Sequence, residues 1–190
     1  MQELLLRIQY DNDETAFEQF YRNQVFRLFQ FAFAFVHNKE LSEEIVNDVF
    51  LKLWQNRSTI DQIRDLPVYL YVAVKNTAAN YLRQAKARRR EDGDELAVHH
   101  FHLIPNPEQL LITQELRTKI ERCIDGLPPR CKLIFKLIKD DGLTFAEVAT
   151  ILEISYKTVT TQLTIALKKL EDQLQPSFQQ IRPNFQAGKK

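Results

Sequence analysis

Residues 143–170, "LTFAEVATILEISYKTVTTQLTIALKKL", decide the fold of the C-terminal part of the chain. Thr144 and Glu147 stand three residues apart and form a capping box, which predicts the start of a short amphipathic helix. After a break, Ser155 predicts the N-cap of a second helix. Four apolar residues with helical spacing are expected to form the buried side of that helix: Val159, Leu163, Ala166 and Leu170.

The opposite face of this second helix carries a polar stripe. It consists of Lys157, Thr160, Thr161, Thr164 and Lys168. A short helix, a tight turn and a longer helix with a basic, hydroxyl-rich outer face are typical of a helix-turn-helix, whose second helix enters the major groove of DNA. Any helical hairpin has a polar outer face, however, so the pattern alone favours DNA binding and simple solvent exposure equally.

Length and composition predict an all-α protein of two small helical domains joined by a flexible linker. The chain has 190 residues and only four glycines, and most of its segments show a helical rather than a strand period. It has no apolar run of membrane-spanning length and no secretory signal, so we expect a cytoplasmic protein without direct membrane insertion. Cys123 and Cys131 lack a Cys-x-x-Cys partner and are interpreted as small buried residues.

The charges are segregated along the chain although the net charge is only +1. Residues 75–90 are basic and contain no acid, and residues 154–170 are again free of acids. An acidic, aperiodic stretch separates them and predicts a linker. We therefore divide the chain into a first domain at 1–90, a linker at 91–107, a helix-turn-helix domain at 108–174 and an extension at 175–190. Two basic segments predict two contacts with one nucleic acid.

The first domain begins with a predicted helix from about Ala16 and a second one in "VFRLFQFAFAFVHN", with Phe26, Phe29 and Phe33 facing a core. The next helix is expected to be capped near Ser42. Its buried side comprises Ile45, Val46, Val49, Phe50 and Leu53. Another face of it carries Glu44, Asn47, Asp48, Leu51 and Gln55. Spacing alone favours a solvated surface there over a docking surface for a basic protein.

The helix after Pro67 is predicted to have an apolar side and a separate polar side. The apolar side comprises Tyr71, Val74, Ala78 and Leu82, and the polar side comprises Tyr69, Asn76, Asn80 and Arg83. Aromatic rings stack on unpaired bases, Asn reads base edges, and Arg or Lys holds the backbone. Solvent exposure would also permit these residues, but the acid-free run into "RQAKARRR" favours nucleic acid.

These segments together resemble the extracytoplasmic-function sigma factors, the small promoter-recognition subunits of bacterial RNA polymerase. The resemblance covers residues 13–174 and rests on "LSEEIVNDVFLKLW", "YLYVAVKNTAANYLR" and the helix-turn-helix segment. It implies a subunit that binds core RNA polymerase and directs promoter-specific transcription initiation. Such a subunit is not an enzyme, so no catalytic residue, cofactor or metal is expected.

The resemblance also assigns residues to three surfaces. The surface for core RNA polymerase comprises Glu44, Asn47, Asp48 and Leu51. The surface for the minus-ten element comprises Tyr69, Lys75, Asn76, Asn80 and Arg83. The surface for the minus-thirty-five element comprises Ser155, Tyr156, Lys157, Thr158, Thr160, Thr161, Gln162 and Lys168. The "TTQ" run departs from the usual family pattern, so the promoter preference does not transfer, and Glu153 replaces a common turn glycine.

The implied partners are core RNA polymerase, promoter DNA and an anti-sigma factor. The main alternative is a self-contained dimeric helix-turn-helix regulator, which predicts tight independent operator binding. A DNA-processing enzyme lacks a convincing nucleophile and arginine constellation here. His99, His100 and His102 are interpreted as an incidental polar loop rather than a metal site. The extension is interpreted as disordered or as a docking segment anchored by Phe178, Ile181 and Phe185.

Overall fold

The computed structural model describes residues 2–92 and 114–181, with side chains at 2–87 and 118–175. All regular structure within these ranges is helical, which confirms the all-α prediction. The chain divides into two compact units, Met1–His100 and Phe101–Lys190. Among the helices described, none is both long and apolar enough to cross a membrane.

The described residues of the first unit, 2–92, form four α-helices and one 3-10 helix. They are α1 (Gln2–Tyr10), α2 (Glu14–Val36), α3 (Lys39–Gln55), a 3-10 helix (Arg57–Gln62) and α4 (Leu66–Asp92). Helix α2 packs against α1, α3 and α4, and α3 also packs against α4. The predicted buried side of α3 is confirmed, since all five of its residues are at most 3% exposed.

Aromatic rings join α2 to α3 in the core of this unit. Phe17, Phe20 and Tyr21 of α2 surround Phe50 of α3, with ring centroids 4.7–6.1 Å away. The ring of Tyr21 is the nearest of them at 4.7 Å, in an edge-on geometry that aromatic pairs prefer. This packing fixes the side of α3 that faces the core, and so also the side that faces outward.

Four local predictions for the first unit are wrong. The two helices expected between 16 and 38 are one 23-residue helix, α2, whose buried residues include Phe20, Leu28 and Phe31. Phe26 is 38% exposed instead of buried, because phenylalanines lie around much of α2 and their spacing alone does not define its core side. Leu82 is also exposed, at 40%.

The start of α3 is the fourth correction. Asn38, not Ser42, caps the helix, and its side-chain oxygen accepts a hydrogen bond from the Leu41 backbone N–H at 2.7 Å. Ser42 lies inside the helix, fully buried, and its hydroxyl donates to the Asn38 carbonyl. Asn is as strong an N-cap residue as Ser, so Asn38 starts the helix four residues before the predicted cap.

The described residues of the second unit, 114–181, form four helices: α5 (Gln114–Asp125), α6 (Pro129–Lys139), α7 (Phe145–Leu152) and α8 (Tyr156–Ile181). The capping box of Thr144 and Glu147 is present with both of its hydrogen bonds. Ser155 caps α8 as predicted, because its hydroxyl oxygen accepts from the Thr158 backbone N–H at 3.0 Å. Between them Glu153 adopts a left-handed backbone with φ 54°. These features form the turn of the predicted helix-turn-helix.

Helix α8 packs against α5, α6 and α7. Its predicted buried residues are confirmed, and Ala166 and Leu170 share a core cluster with Cys123, Leu127 and Cys131. Both cysteines are free thiols, buried as predicted.

Several sequence predictions fall partly or wholly outside the described residues. Helix α8 continues to Ile181, so the start of the extension is helical, whereas Phe185 lies beyond the described part. Residues 93–107 of the predicted linker, including His99, His100 and His102, also lie outside it.

Candidate polymerase-binding and DNA-binding surfaces

The first candidate surface is the outward face of α3, which we call the acidic face (Glu44, Asn47, Asp48 and Leu51). Glu44 and Asn47 are exposed, Asp48 is partly buried, and Leu51 is 55% exposed. The four residues recur at helical spacing, so they lie side by side on one surface. The face therefore combines two carboxylates, one amide and one exposed aliphatic side chain.

Two tyrosine hydroxyls hold the polar groups of the acidic face from neighbouring helices. The Tyr81 hydroxyl of α4 lies 3.0 Å from Glu44 Oε1 and 3.1 Å from Asp48 Oδ2. The Tyr21 hydroxyl of α2 donates to Asn47 Oδ1 at 2.9 Å. The acidic face is thus ordered by contacts that come from the core side of the unit.

The environment of Tyr81 keeps its hydroxyl protonated. Burial raises the pKa of the Tyr81 phenol to about 12, and the hydrogen bonds to Glu44 and Asp48 act in the same direction. One phenolic proton serves two carboxylates, so the pair retains most of its acceptor capacity and both of its negative charges. Such a surface suits a partner that presents Arg or Lys side chains.

The second candidate surface is the outward stripe of α4. Tyr69 is 42% exposed, and Asn76, Asn80 and Arg83 are also exposed. The Arg83 guanidinium donates to Asn80 Oδ1, which leaves the Asn80 amide N–H groups as the free donors of that side chain. Lys75, which was assigned to the same surface, is partly buried. The stripe joins an aromatic ring, amides and a cation on one side of a single helix.

The third candidate surface is the outer face of α8. The structure leaves Tyr156, Lys157, Thr160, Thr161 and Lys168 exposed, with Tyr156 at 57%. The Tyr156 ring also packs edge-on against Phe145 of α7, with ring centroids 5.7 Å apart. Helix α7 therefore supports the N-terminal turn of α8, the turn that contacts bases in a helix-turn-helix.

Three residues assigned to this surface have structural contacts as well. The hydroxyls of Ser155 and Thr158 are 2.8 Å apart in the cap of α8. Gln162 is partly buried, and its amide oxygen accepts from the thiol of Cys131 on α6 at 3.0 Å. Gln162 consequently lies at the edge of the surface, with its oxygen turned toward α6.

Sequence reasoning missed Tyr81 and Tyr21, although one signal for Tyr81 was available. Tyr81 follows Val74 and Ala78 at intervals of seven and three, so it falls on the side of α4 that packs against the core. A hydroxyl on such a side needs a partner, and the nearest helix offered carboxylates. No group of residues able to hold a metal ion is found in the part of the chain that is described.

Comparison with known proteins gives two family matches along the chain. Residues 20–88 match Sigma-70 region 2, and residues 117–170 match Sigma-70, region 4. The first segment contains α3 and most of α4, and the second contains α6 and α7 together with the first part of α8. The three candidate surfaces therefore fall inside the matched segments.

Individual relatives agree with these matches. The chain is 28% identical over 140 residues to the ECF RNA polymerase sigma-E factor of Escherichia coli K12, covering 70% of this chain and 73% of the relative. It is 24% identical over 183 residues to the RNA polymerase sigma-H factor of Pseudomonas aeruginosa, covering 92% and 94%. The fold is similar to that of the sigma factor RpoE of Bartonella quintana, solved with the anti-sigma factor NepR, with TM-score 0.58, 20% identity, and 84% and 96% coverage.

Proposed function

The chain belongs to the extracytoplasmic-function group of the sigma-70 family, and from this premise we propose that its three surfaces divide the work of promoter recognition. It is an alternative sigma factor that directs promoter-specific transcription initiation. The polymerase supplies the catalytic site, and this chain supplies the sequence specificity.

The acidic face of α3 binds core RNA polymerase in this proposal. The observation that carries it is the pair of tyrosines that order Glu44, Asn47 and Asp48 before any partner arrives. Ordering charged side chains in advance lowers the entropic cost of association. Leu51 adds an exposed apolar anchor beside them, and the carboxylates select a basic partner.

The other two surfaces bind the promoter. The stripe of α4 reads the minus-ten element as separated strands, with Tyr69 stacking on a base and with Asn76, Asn80 and Arg83 contacting base edges and backbone. The outer face of α8 reads the minus-thirty-five element as duplex in the major groove. Binding to one polymerase makes the second DNA contact effectively intramolecular, so two weak readers act as one specific reader.

Gel filtration of the chain with cognate core RNA polymerase tests the assignment of the acidic face. The wild-type chain is expected to co-elute with core. Asp48→Lys is expected to lose co-elution, because the new cation repels the basic side chains that the acidic face binds. Asp61→Lys is the matched control, since Asp61 is an exposed acid of the 3-10 helix. Normal co-elution of Asp48→Lys would contradict the assignment.

The same experiment addresses the alternative of a self-contained dimeric regulator, which the two sigma-70 matches do not favour. The chain alone is expected to elute as a monomer and to leave duplex DNA unshifted. A stable dimer that shifts DNA without polymerase, and that fails to bind active core, would support the alternative.

Regulation by an anti-sigma factor completes the proposal. Support comes from the similar sigma factor that was solved together with its anti-sigma factor. The tagged chain, purified from its own cells while its promoters are silent, is expected to carry a partner that core RNA polymerase displaces. Recovery of the free chain under those conditions would contradict this part of the proposal.

A further inference from the structure

Three threonines on the outer face of α8 use their hydroxyl protons inside the helix. The Thr160 hydroxyl donates to the Tyr156 carbonyl at 3.1 Å, Thr161 to the Lys157 carbonyl at 2.8 Å, and Thr164 to the Thr160 carbonyl at 2.9 Å. All three side chains are exposed. We call Thr160, Thr161 and Thr164 the threonine stripe.

These internal bonds determine what the threonine stripe offers a ligand. A threonine hydroxyl has one proton and two lone pairs, and the proton is already committed to a backbone carbonyl. The groups that remain are the γ-methyl and the oxygen lone pairs. The stripe therefore presents methyl groups and acceptors to DNA, and no free hydroxyl donor.

The neighbouring polar groups also have contacts inside the protein. Ser155 and Thr158 bond to each other in the helix cap, and the Gln162 oxygen accepts from the Cys131 thiol. The donors of this face lie outside the threonine stripe, and they include the amide N–H groups of Gln162, the exposed Tyr156 hydroxyl and the exposed ammonium groups of Lys157 and Lys168. Lysine donors suit phosphates or the N7 and O6 acceptors of guanine.

The major-groove edges of the base pairs differ in what they require. In a G·C pair the guanine presents only acceptors, which a methyl and a committed hydroxyl cannot satisfy, and the cytosine N4 amino donor suits an oxygen lone pair but brings no methyl group. An A·T pair presents the thymine C5-methyl and the adenine N6 amino donor, which complement a methyl and an oxygen lone pair. We propose that the threonine stripe selects A·T pairs in the upstream promoter element through contact with thymine methyl groups. This inference rests on the proposed role of α8 in reading duplex DNA.

Deoxyuridine provides the test, because it differs from thymidine only by the absence of the C5-methyl. Holoenzyme, formed from the full chain and cognate core polymerase, selects from promoter duplexes with a randomised upstream element. The selected duplexes are remade with single thymidines replaced by deoxyuridine. Loss of one buried methyl, worth about 0.8 kcal/mol, corresponds to a roughly fourfold lower affinity at each contacted position.

Paired variants identify the contacting group. Thr161→Val keeps the methyl and removes the hydroxyl, so it is expected to retain the sensitivity to deoxyuridine. Thr161→Ser keeps the hydroxyl and removes the methyl, so it is expected to lose about fourfold on thymidine DNA and nothing further on deoxyuridine DNA. Thr150→Ser in α7 is the matched control, because the Thr150 hydroxyl also donates to a backbone carbonyl, that of Ala146 at 3.0 Å.

Three results would overturn the inference. The first is a set of selected elements without A·T pairs opposite the threonine stripe. The second is an A·T preference that remains after thymidine is replaced by deoxyuridine, since DNA shape would then account for the preference. A defect in Thr161→Val but not in Thr161→Ser would show that the hydroxyl makes the contact. If holoenzyme selects no upstream element at all, the proposed role of α8 fails and this inference fails with it.

Discussion

Tyr81 has one hydroxyl proton and two carboxylate partners, Glu44 and Asp48, at 3.0 and 3.1 Å. Tyr81→Phe keeps the ring and removes the shared donor, so the two carboxylates repel each other and lose their fixed geometry. Re-ordering a side chain on binding costs about 0.5–1.5 kcal/mol, so we expect a roughly two- to thirteenfold weaker affinity for core RNA polymerase. Fluorescence anisotropy with labelled chain measures this affinity.

Tyr10→Phe is the control for this change, because Tyr10 is 66% exposed on α1. It is expected to bind core like the wild-type chain. Tyr21→Phe is expected to have a smaller effect than Tyr81→Phe, since Tyr21 holds the neutral Asn47. Equal affinities for the Tyr81 and Tyr10 variants would show that the shared hydroxyl does not prepare the acidic face.

The raised pKa of Tyr81, about 12, makes a second prediction. An ordinary tyrosine ionises near pH 10, so absorbance at about 295 nm should show a late-titrating phenol that Tyr81→Phe removes. Because the folded-state pKa is above the unfolded one, the stabilisation is complete below about pH 10 and is lost as pH rises toward 12. Identical alkaline titration curves for the two proteins would contradict this prediction.

At the scale of helices, the sequence predicted contacts between residues a few positions apart and missed contacts between residues far apart in the chain. The capping box of Thr144 and the cap at Ser155 depend on residues three positions away, so the sequence predicted both correctly. The start of α3 was predicted near Ser42 but lies at Asn38, because residue type alone does not separate two strong N-cap residues. The contact of Tyr81 with α3 joins residues more than thirty positions apart, which a period cannot reveal.

Glu153 occupies a position in the turn between α7 and α8 where a left-handed backbone is needed. The resemblance implies that a turn glycine is common at this position, and Glu153 adopts the left-handed backbone that favours glycine, with φ 54°. The turn between α7 and α8 thus accepts a cost of about 1 kcal/mol without losing its geometry. The core packing of Val148, Ile151 and Val159, all fully buried, opposes that cost.

A partly buried ion pair joins α5 to α6, and we expect it to stabilise the second unit. Lys132 Nζ lies 2.7 Å from Asp125 Oδ1, with the two side chains 6% and 35% exposed. Burial lowers the pKa of Lys132, and Asp125 opposes that shift. Asp125→Asn leaves a buried cation with a weaker partner, so we expect a loss of about 1–3 kcal/mol in the free energy of unfolding, reduced by the partial exposure of Asp125.

Urea denaturation followed by circular dichroism measures this loss. Lys132→Met removes the buried charge while keeping the volume, so it is expected to be nearly neutral. In the Lys132→Met background, Asp125→Asn should then cost much less than it does alone. An equal cost in both backgrounds would mean that the pair is not the source of the destabilisation.

At the scale of the whole molecule, the net charge conceals the DNA-binding capacity. Lys and Arg number 26 and Asp and Glu number 25, yet the segments 75–90 and 154–170 contain no acid. Acids elsewhere, including the acidic face, balance the cations and repel DNA, so the free chain has little long-range attraction for it. In the proposed function, this segregation of charge lets one chain present acids to core RNA polymerase and cations to DNA.

Salt dependence makes this division measurable in the holoenzyme. Each neutralised phosphate adds about −0.9 to the slope of log affinity against log salt for duplex DNA. Lys168→Gln is expected to reduce the slope for promoter binding by about one such unit, because Lys168 is an exposed cation on the outer face of α8. Lys139→Gln is the control, since Lys139 is an exposed lysine at the end of α6. An unchanged slope for Lys168→Gln would show that this lysine does not contact the DNA backbone. An equal change for both variants would show that the slope depends on the net charge of the chain and not on the outer face of α8.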